Sequence, residues 1–315
     1  MQNCTICSRE QEIDARPVVS SSAPRTVQPR APRRPGERGR AQRATPGVTV
    51  HRVRNSVDDG YRSPLVPGLK SSGEAERLAD ELAFGATRLR TLESAPPDLY
   101  AELADPAVDI EERTWLAFLI AYLAPLDGDD PFAAIRAARS TWSSGEPPAL
   151  AEVQTGPRSA YDPAHPYRTV DAYRAWASRA GSQAAAFGGE PEWTAQRRFS
   201  RAFERLALPG LHRDARFELL ASLGTIGVYE LRAGTLAVGG SDQVTVAAKR
   251  ALGIGDTMLL ERRAAQLADG CGIPLAALDL GFYNWERGSR ATVGLDPDSE
   301  PDADLQAAVQ AALAI

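Results

Sequence analysis

The chain has 315 residues, 43% apolar and 24% charged, with 36 basic against 41 acidic side chains, enough for one large or two small cores. No run approaches the ~18 apolar residues of a membrane span, and the polar start from Met1 to Arg9, followed by Arg and Pro, lacks the apolar segment of a secretory leader. These features exclude a membrane-spanning protein and predict a cytoplasmic one.

Cys4 and Cys7 form a lone Cys-x-x-Cys, Cys271 stands apart, and His51, His165 and His212 have no paired spacing. A four-ligand zinc site is therefore not expected, and no organic cofactor is signalled. Residues 1–70 are rich in Pro, Arg, Ser and Gly with almost no hydrophobic periodicity, as in Gln28-Pro29-Arg30-Ala31-Pro32-Arg33-Arg34-Pro35. Such a segment cannot bury enough apolar surface to offset its ordering entropy, which predicts a disordered basic tail. Its arginines read either as an arm drawn to nucleic acid or as a solvated tail without a partner.

Helical periodicity then takes over. It predicts helices over 72–91, from Pro96-Pro97, over 110–123 around Trp115 and Phe118, and over 130–142, where Asp130-Pro131 is a strong start signal. Residues 145–166 carry Pro147, Pro148, Pro157, Pro163 and Pro166 and read as a linker between lobes at 71–145 and 167–290. Further helices follow at 170–187, 195–206, 214–223, 242–252, 257–268 and 274–285, with a short strand or extended turn within 228–238. The remainder, 291–315, reads as an acidic tail, mobile over 296–302, ending in a short Ala-rich helix. The expected fold is all-α and two-lobed, with a helical domain at 71–290.

Charge argues partly against a nucleic-acid partner. Through Lys70 there are 13 basic and 6 acidic residues, which leaves 23 basic against 35 acidic for the rest. A body so acidic must concentrate its cations locally to meet a phosphate backbone. One such place is the helix after Trp193, where Arg197, Arg201 and Arg205 recur every four residues opposite Phe199, Ala202, Phe203 and Leu206. That face could track phosphates or simply be solvated.

A second place is the stretch from Val246 to Leu260, which reads as two helices joined at Gly253-Ile254-Gly255. Glycines there permit a sharp turn and let an anion approach backbone N–H groups, while the second helix, opened by Thr257, points its positive end at the same spot. Lys249, Gly253, Gly255, Thr257, Arg262 and Arg263 are the candidate DNA contacts. The alternative is an ordinary turn in which Gly253 ends the first helix in the left-handed conformation.

Downstream, Leu275, Leu278, Phe282 and Trp285 form an apolar stripe with Asp279 at its edge. A carboxylate there is costly unless paired or functional, and partial burial would raise its pKa toward duty as a base. The alternative is an ion pair with Arg262, Arg263 or Arg287. The acidic run Asp127, Asp129, Asp130 fails as a calcium loop because Pro131 stands at a ligand position. It reads as a cap-and-turn cluster, with Mg²⁺ bound beside a pyrophosphate left as an alternative.

A hairpin followed about two dozen residues later by an aspartate in an apolar setting is similar to the helix-hairpin-helix DNA glycosylases, although Leu252 replaces their usual proline. A closer resemblance, spanning residues 74–285, is to the clade 3 domain of the alpha-glutamyl/putrescinyl thymine pyrophosphorylases. It rests on Glu112-Arg113-Thr114-Trp115-Leu116-Ala117-Phe118-Leu119, Leu126-Asp127-Gly128-Asp129-Asp130-Pro131-Phe132, Phe203-Glu204-Arg205-Leu206 and Arg216-Phe217-Glu218-Leu219-Leu220. Ala247-Ala248-Lys249-Arg250, Gly253-Ile254-Gly255-Asp256, Leu259-Leu260-Glu261-Arg262-Arg263, Leu278-Asp279-Leu280 and Asn284-Trp285 complete it.

The resemblance implies a glycosylase-related helical enzyme that displaces pyrophosphate from a 5-substituted uracil in DNA with a small amine. In that scheme Lys249, Arg262 and Arg263 meet the leaving pyrophosphate and Asp279 or Glu261 serves as base. Tyr283 or Trp285 would stack on a flipped-out target. Excision of a modified base and DNA binding without catalysis stay open beside it.

Overall fold

The computed structural model describes residues 57–315, all of which fall in the unit Arg54–Ile315; the expectations for residues 1–56, Cys4, Cys7 and His51 included, lie outside the described residues. Twelve α-helices and no strand occur among them, so the all-α expectation holds. No helix there is long and apolar enough to cross a membrane.

The pivot of the fold is the crossing of α1 (Ser72–Ser94) with α11 (Ala277–Arg287). Both helices bring a glycine to the contact. A Cβ on Gly85 would run into the Ala277 carbonyl oxygen, and one on Gly281 would come within 3.0 Å of the Leu82 Cα. The two backbones therefore touch where any larger residue would hold them apart. α9 (Gln243–Leu252) packs on the same α11, and α12 (Ala303–Leu313) lies along α1.

The other large contact joins α3 (Ile110–Leu123) to α8 (Arg213–Thr225). Almost every residue of α3 from Thr114 on is buried, as its nearly unbroken apolar run requires. Phe118 stacks on Tyr173 of α5 (Arg168–Arg179) with ring centroids 3.9 Å apart. Elements on both sides of residues 145–166 thus share one core, and that Pro-rich stretch does not divide the described residues into separate lobes.

Several expected boundaries move. Residues 57–70 are not tail: Val66 and Leu69 are buried, Tyr61 donates to the Leu313 carbonyl at 2.6 Å, and Gly68 N–H donates to Ala251 O at 2.9 Å. The acidic end is likewise no simple tail, because Ala291, Val293 and Leu295 are buried and α12 docks through Val309 and Leu313. The helix expected over 170–187 breaks into α5 and α6 (Gln183–Gly188). Gly181 takes φ +93° there, and Ser182 caps the new start by accepting from Ala185 N at 3.0 Å. The helix expected over 130–142 shrinks to α4 (Ala133–Ala138). No strand forms within 228–238, since the N–H groups of Leu236 and Val238 go to the Glu261 carboxylate instead of to a neighbouring strand.

Gly85→Val is expected to destabilise the protein by about 1–3 kcal/mol through overpacking at the α1–α11 crossing. Gly73→Ala, whose Cβ meets only Ser71 Oγ at 3.9 Å, is expected to stabilise by up to about 1 kcal/mol. Urea midpoints of the two variants check both signs.

Candidate nucleic-acid interface

The hairpin forms between α9 and α10 (Thr257–Cys271). Asp242 caps α9 by accepting from Thr245 N at 2.9 Å, and Gly253 ends it in the left-handed conformation at φ +65°. Gly253 has a second constraint, because a Cβ there would sit 3.3 Å from the Gly68 backbone. It is thus the terminator that the ordinary reading of the turn requires. Gly255 differs: its φ is not left-handed and nothing lies within 4 Å of where its Cβ would be. Among the described residues no acceptor takes the N–H groups of Ile254 and Gly255. Asp256 caps α10 by accepting from Leu259 N at 2.9 Å, so an incoming anion would meet the N–H groups before that cap.

Around this turn the candidate side chains separate by role. Thr257, Arg262 and Arg263 are exposed and Lys249 is half-buried. Lys249 and Arg262 have no side-chain partner among the described residues, and Arg263 reaches only Gln266 at 3.3 Å. The neighbouring Arg250 is already engaged, its guanidinium 3.8 Å from the Trp285 ring centroid and paired with Glu286 at 3.1 Å.

On α7 (Ala195–Arg205), Phe199 and Ala202 face inward as the periodicity predicts, and Arg197 and Arg201 line an open groove with Gly234 and Thr235. Arg197 and Arg205 both lie over the Trp193 ring, at 5.2 and 5.7 Å from its centroid, while Arg201 pairs with Glu204 at 2.9 Å. The segment after α8 connects this groove with the hairpin. Arg232 N donates to Ala195 O at 3.2 Å at one end, and Glu261 of α10 accepts from Leu236 N and Val238 N, each at 2.7 Å, at the other.

That clamp occupies both oxygens of Glu261, which leaves the residue fixing a loop and not poised as a base. Asp279 is equally committed. It is buried within α11 and accepts from Arg158 at 2.5 Å and from Arg213, which also pairs with Asp214 at 3.0 Å. Burial alone would raise its pKa, but the two guanidiniums outweigh burial and hold the carboxyl below its ordinary 3.8. This reverses the expected upward shift, and the partners are neither Arg262, Arg263 nor Arg287. Arg158 sits in the Pro-rich stretch and Arg213 begins α8, positions that no spacing in the sequence connects to Asp279.

The proposed stacking residues are also corrected. Trp285 is buried, donates its indole N–H to Glu74 O at 3.2 Å and is covered by Arg250. Tyr283 is buried, donates to Pro157 O at 2.7 Å and carries Arg158 at 4.8 Å from its ring centroid. Neither ring offers a free face to a base. In the acidic run, Asp127 pairs with Arg287 at 3.2 Å and Asp130 with Arg136. Among the described residues no group of three or more His, Cys, Asp or Glu is arranged to hold a metal ion.

No family model, curated protein or solved structure matches the chain.

Asp279→Ala strands the buried Arg158 guanidinium and leaves Arg213 with only Asp214 and the Leu236 carbonyl, and is expected to cost about 3–5 kcal/mol. Because the folded-state pKa of Asp279 is depressed, its contribution is complete well above the ordinary 3.8 and is lost as pH falls through the folded value. The urea-midpoint gap between wild type and Asp279→Asn should therefore be wide near pH 7 and shrink progressively as the pH falls below 3.8. A gap independent of pH would show that the carboxylate charge is not what holds the site.

Proposed function

We propose that the protein acts on DNA as a helix-hairpin-helix protein, holding a backbone phosphate at Ile254-Gly255 with Lys249, Thr257, Arg262 and Arg263 around it and Arg197 and Arg201 as a second contact. The observation that carries this reading is Gly255. Its Cα faces open space, its N–H is unpartnered among the described residues, and exposed cations follow within the next two turns of helix. A phosphate satisfies the N–H groups and complements those cations in one step. The acidity of the remainder confines the attraction to this side of the molecule, so binding should be salt-sensitive.

The enzymatic form of the reading is displacement of pyrophosphate from a 5-substituted thymine or uracil, as the resemblance implies. There the carbon–oxygen bond to pyrophosphate breaks, a carbon–nitrogen bond to the amine forms, and the amine proton leaves to solvent. What supports it is Arg158, buried beside Asp279 with Nε and Nη1 lacking an acceptor among the described residues, a set of donors suited to an anion. In this form Asp279 orients the two guanidiniums and does not abstract a proton.

Gly255→Val is expected to leave the unfolding free energy within about 0.5 kcal/mol of wild type while weakening binding to a fluorescent duplex. Arg262→Ala and Arg263→Ala should each reduce the slope of log affinity against log salt by ~1. Wild-type affinity unchanged by salt, or by Gly255→Val, would refute the clamp. Nucleoside mass spectrometry of modified DNA incubated with protein and amine tests the chemistry. Pyrophosphate release with gain of the amine mass is expected, and abasic sites would mark excision instead.

A further inference from the structure

A cavity of about 430 Å³ lies between α1, the end of α8, the start of α11 and Leu305 of α12, and belongs to no site described above. Its size falls within the ~300–1,000 Å³ of sites that take small organic molecules. The inner wall is apolar and buried, formed by Ala86 and Leu89 of α1, Ala221 of α8 and Leu231. Small residues keep the space open. Gly272, which also lines it, has nothing within 4 Å of where its Cβ would be. Gly224 fixes the facing wall, because any Cβ there would collide with the Leu231 carbonyl, so the segment 231–233 is held against α8 at backbone contact.

The mouth of the cavity is charged, and its charges are not matched to one another. Arg90 is taken by Asp302 at 2.7 Å. Glu93 and Arg232 are exposed, line the same cavity, and have no side-chain partner among the described residues, each other included. Leu275 and Ala276 bring the start of α11 to the lining. Their N–H groups meet no acceptor among the described residues, and no side chain caps that helix. The Thr225 hydroxyl, also in the lining, is unpartnered in the same sense. One cavity thus joins an apolar wall, an unpaired cation with open N–H groups, and an unpaired carboxylate.

We infer that this cavity binds a free α-amino acid with an apolar side chain. The ligand carboxylate meets Arg232 and the N–H groups at the start of α11, its ammonium meets Glu93 and the Thr225 hydroxyl, and its side chain covers the apolar wall. A simple anion would face Glu93 and a simple cation would face Arg232, whereas a zwitterion answers both charges at once. A charged side chain on the ligand would be stranded against the apolar wall without a partner. The cavity shares no lining residue with the Arg197–Arg201 groove and includes none of residues 253–263, so the inference does not depend on the DNA reading.

Isothermal titration of the full chain with L-phenylalanine and L-leucine tests the assignment. Saturable binding of at least one of them is expected. Three controls accompany it: 3-phenylpropanoate, which lacks the ammonium, phenethylamine, which lacks the carboxylate, and L-glutamate. Each should bind at least about tenfold more weakly than the better apolar amino acid. Glu93→Gln and Arg232→Gln, both at exposed positions, should leave the urea midpoint unchanged and each weaken amino-acid binding about tenfold. Glu93→Gln should not weaken 3-phenylpropanoate, since that ligand has no ammonium to lose. No saturable binding of either amino acid overturns the proposal, as does binding that both variants leave intact. Equal affinity for 3-phenylpropanoate would mark a plain anion site, and equal affinity for L-glutamate would show that the apolar wall does not select the side chain; either result also overturns it.

Discussion

The Asp279 carboxylate, buried between Arg158 and Arg213, is the interaction on which the architecture depends. It ties α11 to the start of α8 and to the Pro-rich stretch, where the Tyr283 hydroxyl adds a second tie through the Pro157 carbonyl. A second buried set continues it, with Arg88 of α1 paired to Glu218 of α8 at 2.6 Å and donating to Tyr100 at 2.9 Å. Burial pushes the Tyr100 hydroxyl up to about 12, against the pull of Arg88, so it stays protonated. Such interior charges are stabilising only while every partner is present, because each removal leaves an opposite charge without water or counter-ion.

The helices were legible where local signals agree with burial. The apolar run of α3, the four-residue recurrence of arginine on α7 and the Gly253 stop of the hairpin each act locally, and each appears where the pattern puts it. Less legible were features decided by tertiary contact. Val66 and Leu69 sit in a stretch too sparse in apolar residues to suggest a helix, yet they are covered by neighbours distant in sequence. Ala291 and Val293 follow the same logic at the other end. Residues 228–238 alternate enough to suggest a strand, and a single carboxylate from α10 takes the hydrogen bonds a strand would have needed.

The candidate site was legible in part, for a related reason. Hairpin residues act through the backbone and through exposed side chains, so their sequence pattern is close to their geometry. Asp279, Glu261, Tyr283 and Trp285 act through partners. Helical spacing correctly put Asp279 against an apolar stripe, but the sign of its pKa shift was set by two arginines 121 and 66 residues away in the chain. An aspartate in an apolar setting suggests a proton acceptor; the same aspartate between guanidiniums is a fixed anion. The distinction lies wholly in the fold.

The clamp made by Glu261 has a mechanical consequence. One side chain, a single turn along α10 from Thr257, holds the loop whose upstream part lines the Arg197–Arg201 groove. Both of its oxygens are bonded to backbone, so α10 cannot rotate about its axis without dragging Leu236 and Val238 or breaking two hydrogen bonds. The hairpin and the arginine groove are therefore geared together, and strain introduced at one is delivered to the other through a lever four residues long.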